Sequence, residues 1–251
     1  MMFSKKINFL NVVLLSIPTL LCTSIFAQEN LAPVTGFTQS FITNNPIANA
    51  NITVLETGQT GLSNEKGEFG PINYPVGKSI TLRFKKVGYK TTQSATVIVP
   101  PDGLNSPYNN ITFQVPAIEL YYLLIAIVGA KVDPNSCHVT TTIIAYHKTL
   151  HDVPQGEPGA TITLTPYVNE IPFYFDIFKD GPLKGQTNPF TRGLTTTSED
   201  GGVALFNLPP RDQPYTISAV KSGVTFTSAQ FICRKGEFIN ISPPQGPMAT
   251  V

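Results

Sequence analysis

The sequence has no tryptophan, and only three methionines, three histidines and three cysteines among 251 residues; charged residues make up 13% of it. Each shortage excludes something. Without tryptophan, the largest ring available for stacking on a sugar is missing. Seventeen Lys and Arg against sixteen Asp and Glu give a formal charge of +1. That leaves no basic surface for a phosphate backbone or an anionic membrane. His138, His147 and His151 are the whole imidazole supply, and only His147 with His151 has the i, i+4 spacing, which gathers a metal only on a helix. The Thr149, Leu150, Asp152 and Pro154 around them read as a strand end and a loop, so solvated histidines are expected, with no metal and no cofactor. No Gly-x-Ser-x-Gly and no phosphate loop appears. Glu65 and Glu199 fall in equivalent turns far apart, so no carboxylate pair forms. No enzyme is predicted.

What is present begins with a leader. Lys5 and Lys6 precede a mostly apolar run from Phe9 to Leu21, and Ile25-Phe26-Ala27 stands before Gln28, the layout of a cleaved signal peptide over residues 1–27. Export to the periplasm, the outer-membrane surface or the extracellular space is predicted. Cys22 raises lipidation, but Leu21 stands where a lipoprotein signal needs a small residue. Cleavage would remove both leader lysines and bring the charge to about −1. The remaining Cys137 and Cys233 make an even count in an oxidising compartment, and a disulfide is predicted between them.

The mature chain carries an internal repeat. Asn49-Ala50-x-Ile52-Thr53-Val54, Glu65-Lys66-Gly67 and Lys86-x-Gly88 return as Gly159-Ala160-x-Ile162-Thr163-Leu164, Glu199-Asp200-Gly201 and Lys221-x-Gly223. From the glutamate to the last glycine is 23 residues in one copy and 24 in the other, so this half of the unit keeps its geometry. With 22 prolines, 19 glycines and short alternating runs, the composition predicts an all-β chain. In the first copy, strands are expected at Val34 to Ser40, Ala50 to Val54, through Phe69 and Ile72, at Ile80 to Phe84, Ala95 to Val99 and Ile111 to Val115, with the Thr81, Arg83 and Lys85 face in solvent.

The order Pro46-Ile47-Ala48-Asn49-Ala50-x-Ile52, Ser63-Asn64-Glu65-Lys66-Gly67-Glu68-Phe69, Pro75-x-Gly77 and Lys86-Val87-Gly88-Tyr89 resembles the carboxypeptidase regulatory-like, or transthyretin-like, sandwich domain. The resemblance implies a seven-stranded, non-catalytic module with no catalytic residue to carry over. In the second copy, Thr197-Ser198-Glu199-Asp200-Gly201 and Asn207-Leu208-Pro209 are also similar to the collagen-adhesin B-type sandwiches. Those commonly carry a Lys to Asn cross-link promoted by an acid. Lys131 and Asn240 stand where such a pair would fall, but Ser218, Ala219 and Val220 supply no acid, so no cross-link is predicted.

The organisation expected is therefore two tandem Ig-like/transthyretin-like β-sandwiches. The first covers residues 28–116 and the second 136–243, with a tail over 244–251. Between them, residues 117–135 hold Ile118 to Val128, the most apolar stretch of the mature chain, predicted as a connecting strand buried on both faces, with an exposed interaction strip under a partner as the alternative. It is too short to span a bilayer as a helix. Cys137 to Tyr146 is expected as one long strand opening the second copy.

The copies differ between Ala160 and Gly201, a span of 41 residues where the first copy uses 17. The extra segment, about residues 168–192, and its approach hold Tyr167, Phe173, Tyr174, Phe175, Phe178 and Phe190. Long loops on a rigid sandwich are where recognition concentrates. In the run Ile171 to Ile177, Phe173 and Phe175 share the aliphatic face, which leaves Tyr174 and Phe178 foremost on an exposed one; a hairpin folded back as extra core is the alternative. The function expected is an exported, non-catalytic structural or binding module of the envelope or cell surface, working through protein-protein contacts. Carbohydrate binding of the starch-binding-like class is one alternative, and an accessory domain of a peptidase or secretion system another.

Overall fold

A computed structural model describes residues 29–150, 152–241 and 243–250. The leader, Cys22 and His151 fall outside them. The first copy contributes seven strands: β1 (Leu31–Ser40), β2 (Asn51–Val54), β3 (Thr60–Leu62), β4 (Glu68–Pro75), β5 (Ser79–Lys85), β6 (Thr92–Ile98) and β7 (Ile111–Val115). Helix α1 (Ile118–Val128) follows. The second copy contributes β8 (Cys137–Thr142), β9 (Thr161–Thr165), β10 (Phe173–Tyr174), β11 (Asp176–Ile177), β12 (Thr187–Asn188), β13 (Gly202–Leu208), β14 (Tyr215–Val220), β15 (Ala229–Phe231) and β16 (Phe238–Ile241). The fold is all-β sandwich, as the alternation and turn chemistry predicted. Strand β3 was not among the expected strands, because Thr60-Gly61-Leu62 is too short to show a period.

Pairing repeats along with the sequence. In the first copy the order is β4-β1-β7 in one sheet and β6-β5-β2-β3 within another; in the second it is β10-β13-β8-β16 and β15-β14-β9. The strand closing each copy, β7 or β16, runs parallel to the strand opening it, β1 or β8. The turn that recurs in sequence recurs in hydrogen bonds. The Ala50 N–H donates to Ser63 Oγ at 2.9 Å and that hydroxyl to the Ile47 carbonyl at 2.7 Å; Ala160 N–H donates to Thr197 Oγ1 at 2.8 Å, and this hydroxyl to the Glu157 carbonyl at 2.5 Å.

Gly67 (φ 79°) and Gly201 (φ 73°) then close the same turn, and a Cβ on either would stand 2.4 Å from a backbone oxygen, that of Thr38 or of Ile143. Only glycine combines that dihedral with that approach.

The copies share a sheet. Strand β16 pairs in parallel with β6, which joins β10-β13-β8-β16 to β6-β5-β2-β3 in one eight-stranded sheet. One core packs β1, β4 and β7 through Val34, Phe69, Ile72 and Phe113 against Ile52, Ile80, Leu82 and Phe84 of β2 and β5. The other packs Tyr215, Ile217 and Phe231 against Val139, Leu205, Ile239 and Ile241, with Ala95 of β6 entering from the first copy. Across the joint, Arg83 of β5 pairs with Glu237, and Gln93 Nε2 donates to the Ile232 carbonyl at 2.9 Å. The face predicted as solvent on β5 is therefore half in use: Thr81 is buried and Arg83 partly so, because β6 and β16 extend the sheet past it. Cys137 and Cys233 form the expected disulfide, with Cα atoms 5.6 Å apart inside the second core.

Residues 118–128 are helical, which corrects the connecting strand. Leu and Ala are strong helix formers and no period-two pattern opposes them. The Ile118 N–H is met by the Gly88 carbonyl at 3.0 Å. At the other end Gly129, at φ 71°, turns the chain into the left-handed region, with its N–H on Ala126 O and that of Ala130 on Ile125 O. This is the glycine-terminated stop that leaves few orphan carbonyls. The long strand expected from Cys137 to Tyr146 stops at Thr142, and His147 takes a positive φ of 60°.

Candidate functional site

The extra segment in the second copy divides into two pieces. Strand β10 extends the eight-stranded sheet, with Phe173 opposite Ala204 and Tyr174 opposite Val203, while β11 and β12 form a small ribbon. Between them Phe175 turns inward over Gly202, whose missing side chain leaves room for it: a Cβ there would meet the Phe175 ring at 2.6 Å. Tyr174 is 3% exposed, packed with Ile143, Ala160 and Val203, and its hydroxyl accepts the Ile162 N–H at 3.1 Å. The strand breaks at Phe175, so the alternation read across Ile171 to Ile177 fails and Tyr174 points in where it was placed outside. Two of the six candidate aromatics are thus core. Phe173 is half-buried, edge-on to Phe206 at 6.4 Å, and Phe178 is half-buried against Phe190 at 6.3 Å and 61°. Phe190 and Tyr167 are exposed, Tyr167 at 80%.

Residues 118–128, expected as a buried strand with an exposed interaction strip as the alternative, form as α1 the other wall of a crevice. Strands β8, β13 and β16 turn Val139, Leu205, Ile239 and Ile241 into the second core, so their alternate residues Thr140, Ala204, Phe206, Phe238 and Asn240 face the opposite way. Those side chains floor a narrow apolar crevice of about 40 Å³. Tyr121, Leu124, Ile125 and Val128 of α1 wall it on one side and Phe175 with Pro189 on the other. Tyr121 is held by Phe238, edge-on at 5.3 Å, and by Lys90, 4.7 Å from its ring centre; burial pushes its phenol up to about 12. The helix's outer side is open: Tyr122 is 61% and Leu123 51% exposed. A helix apolar on every side is ordinarily buried all round, and this one is not.

A polar chamber adjoins the crevice. Asp200 accepts Thr187 Oγ1–H at 2.6 Å on one oxygen and the Gly202 N–H at 3.0 Å on the other, which ties β12 to the repeated turn. Burial pushes its carboxyl up to about 6, against the opposing pull of those two bonds. His138, expected in solvent, is buried: β8 turns it toward Phe206, and its Nδ1 accepts the Asn207 N–H at 3.0 Å. Burial, with Lys90 nearby, lowers it to about 4, so the ring is neutral and Nε2 carries the proton. Among the described residues no group of three or more His, Cys, Asp or Glu side chains could hold a metal ion. The Asn240 amide donates to Thr140 Oγ1 at 3.1 Å, and Lys131 is exposed.

No family model matches the chain, and no curated protein matches it significantly. Among solved structures, similar ones include the Bacillus anthracis TIE protein, 13% identical over 88% of this chain and 34% of that one, with a TM-score of 0.28. The shaft pilin SpaA from Lactobacillus rhamnosus GG is 11% identical over 88% of this chain and 98% of its own, TM-score 0.26. A streptococcal ancillary pilin is 8% identical over 86% and 68%, also at 0.26. This chain thus spans about a third of the TIE protein's length. At such scores the likenesses carry no argument.

Proposed function

We propose that this is an exported, non-catalytic structural or binding module acting through protein-protein contacts, with the outer side of α1 as its contact surface. The leader over residues 1–27 would direct export, and the Cys137–Cys233 disulfide is consistent with an oxidising compartment. On this reading residues 28–116 and 136–243 are two transthyretin-like units that share one sheet. The observation that carries the reading is the exposure of Tyr122 and Leu123 on a helix whose single charge is Glu119. An apolar strip of this kind on a soluble surface marks a contact site, and tyrosine is enriched among residues that carry binding energy.

Glycan binding has less support, since Phe178 and Phe190 meet at 61° and do not offer two coplanar faces to a sugar. The test is to change Tyr122→Asp and Leu123→Ser together. A partner isolated from envelope extract and then purified should bind the wild type and lose about tenfold or more in affinity for the variant, at unchanged Tm. A partner that binds both equally rejects α1 as the contact.

A further inference from the structure

The apolar crevice and the polar chamber are neighbours whose linings overlap. A narrow neck between them shares Phe41, Gln114, Thr140, Phe175 and Asn240 with the crevice. It shares Gln155, Thr187 and Asp200 with the chamber, which Asn44 and Gln186 also line. The chamber holds about 360 Å³. The crevice is almost wholly apolar and the chamber polar, with Asp200 lining both the neck and the chamber.

Asp200 is the unusual group here. It is 7% exposed, and among the described residues no lysine, arginine or histidine stands within ion-pair distance of it. The nearest charge acting on it is Asp176, of the same sign and already paired with Lys179 at 2.9 Å. Lys184 also lines the chamber and is exposed, outside ion-pair distance of Asp200. Two hydrogen bonds occupy half of the roughly four acceptor positions a carboxylate offers, and Asp200 lines both the neck and the chamber. A buried carboxylate with hydrogen bonds but no countercharge costs stability, and a cation arriving with a ligand removes that cost. An anionic ligand would meet the like charge of Asp200, and a purely apolar one would leave the chamber unmatched.

We propose that crevice, neck and chamber form one binding site for a small amphipathic primary amine, whose ammonium pairs with Asp200 while its apolar stem runs through the neck toward α1. An ammonium has three donors and suits the remaining acceptor positions of Asp200. The stem would displace water from a slot between Phe175, Phe206 and Phe238. This goes beyond the contact surface proposed above, which uses the outer side of α1.

Calorimetry at neutral pH with n-hexylamine, hexan-1-ol and hexanoate tests it on the full chain. Hexylamine should bind at least about tenfold more tightly than hexanol, and hexanoate should not bind, because a charge-assisted pair is being made in a dry site. Asp200→Asn should cancel the advantage of hexylamine over hexanol. Ala204→Leu, which fills the crevice floor and leaves Asp200 in place, should weaken hexylamine about fivefold or more and leave ethylamine unchanged. Equal binding of hexylamine and hexanol, or no hexylamine binding up to about 10 mM, overturns the site. So does an Ala204→Leu protein that binds hexylamine as the wild type does, whether or not Asp200→Asn folds. Tyr122→Asp/Leu123→Ser should bind hexylamine normally, so failure of the partner contact and failure of this site read out separately.

Discussion

Replacing Tyr174 separates packing from hydrogen bonding at the residue where sequence and structure differ most. The ring is buried among Ile143, Ala160, Val203 and Ala219, and removing a buried aromatic costs about 3–5 kcal/mol once the cavity is counted. In a chain of this size 1 kcal/mol moves the midpoint by about 2–4 °C, so Tyr174→Ala should melt about 10 °C below the wild type. Tyr174→Phe keeps the ring and deletes only the acceptor of the Ile162 N–H. Ile162 is half-buried on an edge strand where water has partial access, so this costs about 1 kcal/mol and about 2–4 °C. Thermal denaturation of the three proteins, followed by near-ultraviolet dichroism, measures both steps, and urea denaturation gives the matching free energies. If Tyr174→Ala melts within about 2 °C of the wild type, the ring is not core and the contact surface moves back to the insertion.

Four further outcomes follow. Replacing Cys137 and Cys233 by serine opens a loop of 96 residues and should cost about 2–4 kcal/mol of unfolding free energy, read as a loss under oxidising but not reducing conditions. Asp200 has a raised folded pKa, so it adds stability that is full below about 3.8 and lost as pH rises through about 6. His138 has a lowered one, so it removes stability as pH falls from 6.5 toward 4. The two oppose each other: Asp200→Asn should make the protein more acid-sensitive in that window and His138→Gln less so, and a reversed order in pH-dependent melting refutes both assignments. Gly67→Ala and Gly201→Ala should each cost about 2 kcal/mol or more, because both glycines have positive φ and a carbonyl against the missing Cβ. Excision of residues 168–192 should abolish cooperative melting of the second copy, since Tyr174, Phe175 and Thr187 leave with it; a cooperative product shows the segment to be dispensable.

The repeat was legible because its signals are local and geometric. Gly67 and Gly201 must be glycine, and Ser63 and Thr197 must carry a hydroxyl, so those residue types keep their spacing while the rest drifts. Period-two runs such as Ile80, Leu82 and Phe84 gave the strands for the same reason. Helix α1 was not legible: eleven residues with Glu119 as their single charge have no polar face to set a period, and the glycine that ends it reads equally as a turn after a strand. The joint between β6 and β16 was hidden too, since a sheet edge meets its partner through backbone groups that every residue carries. In the insertion, residue types were informative but direction was not, because one break at Phe175 reversed the faces. Asp200 was quoted in the repeat as turn punctuation. Its equivalent in the first copy is Lys66, an exposed residue, and that substitution at a shared position was the signal available for a site.

The divergence between the copies explains why a site arises in the second alone. In the first copy, the segment before the shared glycine makes β3, which pairs with β2 and ends the sheet there. In the second, the corresponding segment leaves β9 as an edge and crosses to β13, where β10 continues the other sheet instead. The open edge of β9 is blunted by other means: Thr161, Thr163 and Thr165 face solvent, Pro166 ends the strand, and the Tyr174 hydroxyl takes the Ile162 N–H. Once the segment has crossed, Phe175 and Pro189 stand opposite α1, and Thr187 closes on the aspartate that replaces Lys66. A single reassignment of one connection thus supplies the crevice wall, the chamber wall and the buried carboxylate's partner. The first copy, with only 17 residues for the same junction, has no chain left to build any of them.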